Sequence, residues 1–184
     1  QKEPGIDPAD AAIKACAEGA VRGGVRSVTP YVAGKSAIVA VLSRWRGASS
    51  TTSLYGQKGA LRGINFTDST QVIVTDATKG TPVELAATCV AALRSIGIPT
   101  RIVFCLTEKS RSDSRKDFRG SSVQFRFICE FFVPDTGWIP FDPMIALQQK
   151  PLDPINNAVK GIADVPDLQT CLPLAYKLVP DGYQ

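Results

Sequence analysis

Five cysteines, Cys16, Cys89, Cys105, Cys129 and Cys171, are the residues of this 184-residue chain best suited to nucleophilic chemistry, and there is no histidine to activate any of them. A thiol attacks as its thiolate, which cysteine enzymes usually obtain by pairing it with an imidazole. Without histidine, no Cys-His dyad, no Ser-His-Asp triad and no imidazole metal site can be built. The cysteines are widely spaced and form no Cys-x-x-Cys pair of the zinc or thioredoxin kind, which leaves two roles: buried thiols, or one or more disulfides. Glu84 and Asp142 could work as an acid/base pair of the glycosidase type, or else serve as a helix-capping glutamate and a salt-bridged aspartate. A hydrolase built on Cys129 or on these two carboxylates is therefore one reading. No motif in the chain calls for a metal or an organic cofactor.

Two basic features compete for a binding role. Gly34-Lys35-Ser36 resembles the end of a phosphate-binding loop. That motif needs a glycine five residues earlier, where Thr29 stands, and an apolar strand that 24-GVRSVTPY-31 does not supply, so the nucleotide reading is rejected. The segment 109-KSRSDSRKDFRG-120 sets Lys109, Arg111, Arg115, Lys116 and Arg119 against Asp113 and Asp117, which concentrates most of the net charge of +4 in one place. Such a loop either grips an acidic partner, a phosphate backbone or an anionic lipid surface, or is a solvated charged run. Across the whole chain, 21 basic residues against 17 acidic ones is too mild an excess to indicate nucleic-acid binding.

These residues need elements to position them. With 44% hydrophobic residues the chain falls in the single-domain range. In 7-DPADAAIKACAEGAVRGG-24, Asp7 as N-cap and Pro8 at the first helical position predict a helix over 8–21, stopped by Gly-Gly. The segment 35-KSAIVAVLSRW-45 suits a helix or a strand and is assigned as helix. Residues 46–70 are rich in Gly, Ser and Thr and read as a connection carrying the sequon Asn65-Phe66-Thr67. Next, 71-QVIVT-75 is an apolar run that precedes the best-specified helix. There Thr81 is a natural N-cap, Pro82 suits the first position, and Glu84 can close a capping box. Leu85, Cys89, Leu93 and Ile96, with Ala86, Val90 and Ala92, make a wide apolar face, and Gly97 and Pro99 end the helix.

Apolar runs at 100–106, 123–133 and 138–142 predict three strands of a small antiparallel sheet packed on that helix, an α+β arrangement. The proline-rich tail from 144 suggests extended segments wrapping the core, with a short helix near 154–162. The expected organisation is one domain: an N-terminal part over 1–70, a core over 71–143 and a wrapping segment over 144–184. The longest apolar run, 37-AIVAVL-42, is too short to span a bilayer, and no charged-then-apolar leader opens the chain. The chain is expected to be soluble as given. Its start at Gln1 suggests a processed or truncated N-terminus, compatible with an exported or membrane-anchored parent.

The string Gly80-x-x-x-Glu84-x-Ala86, followed by 92-ALRSIGIPTRIV-103, resembles the core of the transglutaminase-like superfamily, which shares the papain-like cysteine-peptidase architecture. The resemblance continues in 126-RFICEFFVPDTGWIPFDP-143, where Glu130, Pro134, Gly137, Trp138 and Phe141-Asp142-Pro143 match the family's second block. It covers 80–143, about a third of the chain. In the family a cysteine heads the helix two residues after the glycine and four before the small alanine, which is Pro82 here. Counting back from Gly137 puts the family's histidine position at Arg126 and its tryptophan at Ile128, while Asp142 holds the third position.

The resemblance thus implies a degenerate triad, Pro82, Arg126 and Asp142. Proline carries no nucleophile, and arginine stays protonated and cannot act as a general base. It implies a papain-like fold that has lost catalysis and serves as a protein-binding or structural module, with a protein partner or larger assembly. Related DNA-damage recognition proteins with degraded triads bind DNA, which gives the basic loop a nucleic-acid reading as well. Arg126 and Asp142 are expected to pair through a guanidinium–carboxylate contact.

Overall fold

The computed structural model describes residues 3, 6–21, 23–45, 47–48, 79–80, 82–108, 123–149 and 158–176. Helix α1 spans Ala11–Ala20, with the Asp10 carboxylate accepting hydrogen bonds from the Ala12 and Ile13 amides at 2.8 and 3.1 Å. It begins three residues later than the sequence suggests. Asp7 instead takes the Ala9 amide at 3.0 Å in a tight turn containing Pro8, and Asp10, reaching two free amides, is the better cap. Helix α2 runs over Pro30–Arg44 behind an N-cap at Thr29, five residues longer at its start than expected. The β-branched Ile38, Val39 and Val41 do not turn it into a strand, because burial outweighs their modest helix penalty.

Helix α3, Pro82–Ser95, is the centre of the molecule, and every residue from Val83 to Leu93 is buried. Its proposed cap, Thr81, lies outside the described residues, as do 71–75, the sequon at 65–67 and the basic loop 109–120. The Ile98 amide returns to the Leu93 carbonyl at 3.0 Å and closes the helix end. A two-residue parallel bridge joins β1 (Gly47–Ala48) to β2 (Lys79–Gly80).

The main sheet is antiparallel, in the order β5-β4-β3-β6, from β3 (Thr100–Glu108), β4 (Val123–Val133), β5 (Gly137–Phe141) and β6 (Cys171–Ala175). Strand alternation turns Phe127, Cys129 and Phe131 of β4 toward α3 and turns Arg126, Ile128 and Glu130 to the opposite face. The α+β core of one helix on a small antiparallel sheet is thus as the sequence indicates. Three features differ. A short helix α4, Pro143–Leu147, follows β5 directly. The tail adds β6 as a fourth strand. The helix expected near 154–162 is not formed over its described part: residues 160 and 161 make a turn, and Ile162 bridges to Phe141.

One apolar cluster joins Ile13 and Cys16 of α1, Ile38 and Leu42 of α2, Leu85, Cys89 and Leu93 of α3, and Cys129, Phe131 and Phe141 of the sheet. A smaller one on the far side of the sheet holds Val103, Cys105, Ile128 and Val165, with Cys171 packed against it. Gly34-Lys35-Ser36 lies in the middle of α2 and is buried there, far from loop geometry. No helix among the described residues is long and apolar enough to cross a membrane.

Candidate functional site

Arg126 and Asp142, which the family resemblance places at two of the triad positions, meet in the structure. The Arg126 Nε donates to Asp142 Oδ2 at 2.6 Å, and the two side chains are 17% and 4% exposed. The other carboxylate oxygen, Oδ1, accepts from the Met144 and Ile145 amides at 2.8 and 3.0 Å and so caps α4. Asp142 is fixed from its backbone as well, since its amide donates to the Gly161 carbonyl at 2.7 Å. Both oxygens of this carboxylate are therefore engaged by donors from three residues.

The arginine is held equally firmly. Its Nη1 donates to the Pro166 carbonyl at 3.1 Å and to Cys171 Sγ at 3.7 Å, so the segment leading into β6 lies across the guanidinium. Burial opposes its charge, but the hydrogen bond to Asp142 and the charge of Asp142 outweigh burial and raise the Arg126 pKa above its ordinary value. A guanidinium so placed donates hydrogen bonds and takes up no proton. Its Nη2 is buried and has no hydrogen-bond partner among the described residues.

Pro82 opens α3 and stands outside this hydrogen-bonded pair. The strand meets the helix one turn further on, where the Cys129 thiol points at the Ala86 carbonyl, 4.0 Å away. Of the three positions, the structure joins two directly. Glu84, in the first turn of α3, is buried at 6% exposure.

All five cysteines are free thiols, which settles the choice left open by their spacing. Burial is the leading cause that pushes up the pKa of Cys16, Cys89 and Cys129, and it raises Cys105 to about 11. Such thiols stay protonated near neutral pH and are poor nucleophiles. Cys171 alone of the five is only half-buried. No group of three or more Cys, Asp or Glu among the described residues is arranged to hold a metal ion.

A second ion pair shares the same sheet face. Arg101 Nε donates to Glu130 Oε2 at 2.6 Å, and its guanidinium lies over the Trp138 and Tyr176 rings at 4.1 and 4.5 Å. Glu130 and Trp138, two of the matching motif residues, thus bind one arginine between strands. The spacing of single residues could not reveal Arg101, Gly161, Pro166 or Cys171 as neighbours of these positions. The basic residues Lys109, Arg111, Arg115, Lys116 and Arg119 lie outside the described residues, in the connection between β3 and β4, whose last registered pair is Glu108 and Val123.

The model of the transglutaminase-like superfamily matches residues 64–143, a segment that contains α3, β3, β4 and β5 and ends one residue after Asp142. No curated protein matches the chain. Among solved structures, the crystal structure of a cysteine-protease candidate from Cytophaga hutchinsonii aligns with 94% of this chain and 53% of its own, at 16% identity and a TM-score of 0.42. The chain spans about half the length of that structure. Over residues 64–143, less than half of the chain, the sequence is similar to the transglutaminase-like superfamily.

Proposed function

We propose that this chain is a catalytically inactive transglutaminase-like domain, a single unit over 1–184, acting as a protein-binding or structural module of a larger protein or assembly. The observation that carries the proposal is the state of Asp142, whose carboxylate is consumed by Arg126 and by the first turn of α4. A triad carboxylate orients an imidazole that shuttles a proton, and here it binds a cation that never releases one. Pro82 at the nucleophile position and the lack of any histidine agree with this reading.

Loss of chemistry leaves a folded scaffold with surface to offer. Leu172 and Leu174 of β6, Tyr176 just after it, and Phe132 and Trp138 beside the β4–β5 turn are exposed large apolar side chains. Such exposure suits a protein partner. The basic loop 109–120 supplies a second reading, nucleic-acid or anionic-surface binding, supported by its five basic residues against two acidic ones. An affinity for single- or double-stranded DNA that falls steeply with salt would support this second reading, and a flat response would remove it.

Activity is tested directly. The wild-type chain is assayed for peptide hydrolysis and for amine incorporation into glutamine peptides, beside Cys129→Ser and Asp142→Asn. No turnover above background is expected in any of the three. Turnover by the wild type that either substitution abolishes would establish an enzyme with a non-standard site. Alkylation mapped by mass spectrometry gives an independent reading: Cys171 labels in the native protein, and Cys16, Cys89, Cys105 and Cys129 label only after unfolding.

A further inference from the structure

We propose that Cys105 and Cys171 form a peroxide-sensitive thiol pair, whose oxidation to a disulfide fastens β6 and the preceding segment to the centre of the sheet. The two cysteines are far apart in sequence but share one face of neighbouring strands. In the β3–β6 ladder Cys105 faces Pro173 and Thr107 faces Cys171, so the two thiols are diagonal neighbours, and they lie in the same small cluster with Val103, Ile128 and Val165. They are near enough that Cys171, after burial, is among the causes that raise the Cys105 pKa.

The surroundings divide the labour between the two sulfurs. Cys171 is half-buried, and its Sγ accepts from Arg126 Nη1 at 3.7 Å while donating to the Asp167 carbonyl at 3.6 Å. A peroxide is attacked by a thiolate, and of the two sulfurs only that of Cys171 is open to an incoming peroxide, Cys105 being buried. Cys105 is buried, with its thiol donating to the Val103 carbonyl at 3.7 Å. It is the resolving thiol.

The chemistry balances with hydrogen peroxide as the oxidant. The Cys171 thiolate attacks one peroxide oxygen, the O–O bond breaks, and the departing hydroxide takes a proton to leave as water, which makes Cys171 a sulfenic acid. The Cys105 thiolate then attacks the Cys171 sulfur, the S–O bond breaks, and a second water departs as the S–S bond forms. The two thiols have lost two electrons and one peroxide has become two waters. Arg126 Nη2, without a partner among the described residues, keeps its hydrogens available to an oxygen added at Cys171.

Closure requires a small movement. Diagonal Cα atoms in a regular ladder are ~7–8 Å apart, and a disulfide spans at most ~6.8 Å. Strand β6 can make the adjustment because it is the last strand of the sheet among the described residues and its pairing already shifts register between Phe104 and Cys105. The product would clamp the Pro166 and Asp167 backbone over the Arg126–Asp142 pair.

The test treats the full chain with a modest excess of hydrogen peroxide, alkylates the remaining thiols, and maps peptides without reduction. A Cys105–Cys171 cross-linked peptide is expected in the wild type and is expected to be absent in Cys171→Ser. Cys105→Ala is expected to leave Cys171 as a sulfenic acid that dimedone traps. Because Cys105→Ala alters a buried position, the wild type supplies a second readout. Its closure rate should rise with pH up to about 11, the value to which burial first, and then Cys171, push the Cys105 thiol. A wild type that oxidises Cys171 to the sulfinic acid without cross-linking, or that cross-links a different pair, would overturn the proposal. The outcome does not depend on whether the domain is catalytic.

Discussion

At Arg126 one side chain fastens three parts of the chain: β4, the N-terminus of α4 through Asp142, and the approach to β6 through Pro166. Truncating it leaves a carboxylate that is 4% exposed with two backbone amides and no counter-charge. Removing one partner of a buried pair commonly costs ~3–5 kcal/mol, and the residual exposure of Arg126 lowers the expectation for Arg126→Met to about 2–4 kcal/mol. Urea unfolding should show this as a lower midpoint at unchanged slope. Arg126→Lys should recover less than half, since an ammonium cannot reach Asp142 and Pro166 at once from a fixed fork. A lysine variant as stable as the wild type would mean that charge alone, without the fork, holds the site.

Gly161 acts on the same site through its backbone. It sits at φ +91°, and a Cβ there would fall 2.7 Å from the Ala146 amide nitrogen and 3.1 Å from the Asp142 carbonyl oxygen. Gly161→Ala therefore combines left-handed strain with a clash against backbone that cannot rotate away, about 3 kcal/mol or more. The measured loss should exceed that of alanine at Gly19, where nothing lies within 4 Å of the added atom. The Arg126–Asp142 contact was legible through the family resemblance, which aligns both residues, within one short strand–turn–strand unit around Gly137, with two triad positions. Gly161, Pro166 and Cys171 reach the site only through the fold of a distant segment, which no local pattern encodes.

Among the elements, α2 shows how packing can override propensity. Glycine inside a helix costs ~1 kcal/mol relative to alanine, yet Gly34 lies mid-helix. A Cβ at Gly34 would come within 3.0 Å of Phe131 Cε2 and 3.4 Å of Leu93 Cδ2, so the absent side chain lets α2 approach both the sheet and α3. Gly34→Ala should gain ~1 kcal/mol of helix propensity and lose ~1–3 kcal/mol to overpacking. A net destabilisation of up to about 2 kcal/mol is expected in thermal or urea unfolding, and a net gain would show that Phe131 has room to turn. The same residues explain the misleading Gly34-Lys35-Ser36 string: its glycine serves close helix packing. Strand β6 was illegible for a related reason. Pro173 within 171-CLPLA-175 argues against a strand, and only an edge position, where one strand side needs no ladder bond, admits it.

Over the whole molecule, the α+β class and the order of the core elements were readable because α3 and the β4–β5 turn carry strong start and stop signals. The membership of α1 and α2 in the same core was not readable, because both are small-residue helices whose partners lie far away in sequence. That shared core sets a property of the entire chain, its response to alkali. Cys16, Cys89, Cys105 and Cys129 are buried, and each has a pKa raised above the ordinary 9.0, chiefly by burial. A thiol whose pKa is higher in the folded state holds its proton there while the unfolded chain has lost it. Folding stability is then complete below about pH 9 and falls as pH rises through the raised values, by ~1.4 kcal/mol per pH unit for each such thiol. Cys105 ceases to add to the slope above about 11, while the deeper Cys89 and Cys129 continue. Urea midpoints measured from pH 8 to 11 should therefore decline more steeply for the wild type than for Cys129→Ala. The variant is less stable at every pH because of the cavity, but its slope should be shallower by one proton. Lysine and tyrosine titration affects both proteins equally and cancels in the comparison. Parallel slopes would mean that the Cys129 thiol ionises as readily in the folded chain as in the unfolded one, and that water reaches the contact between α3 and the sheet.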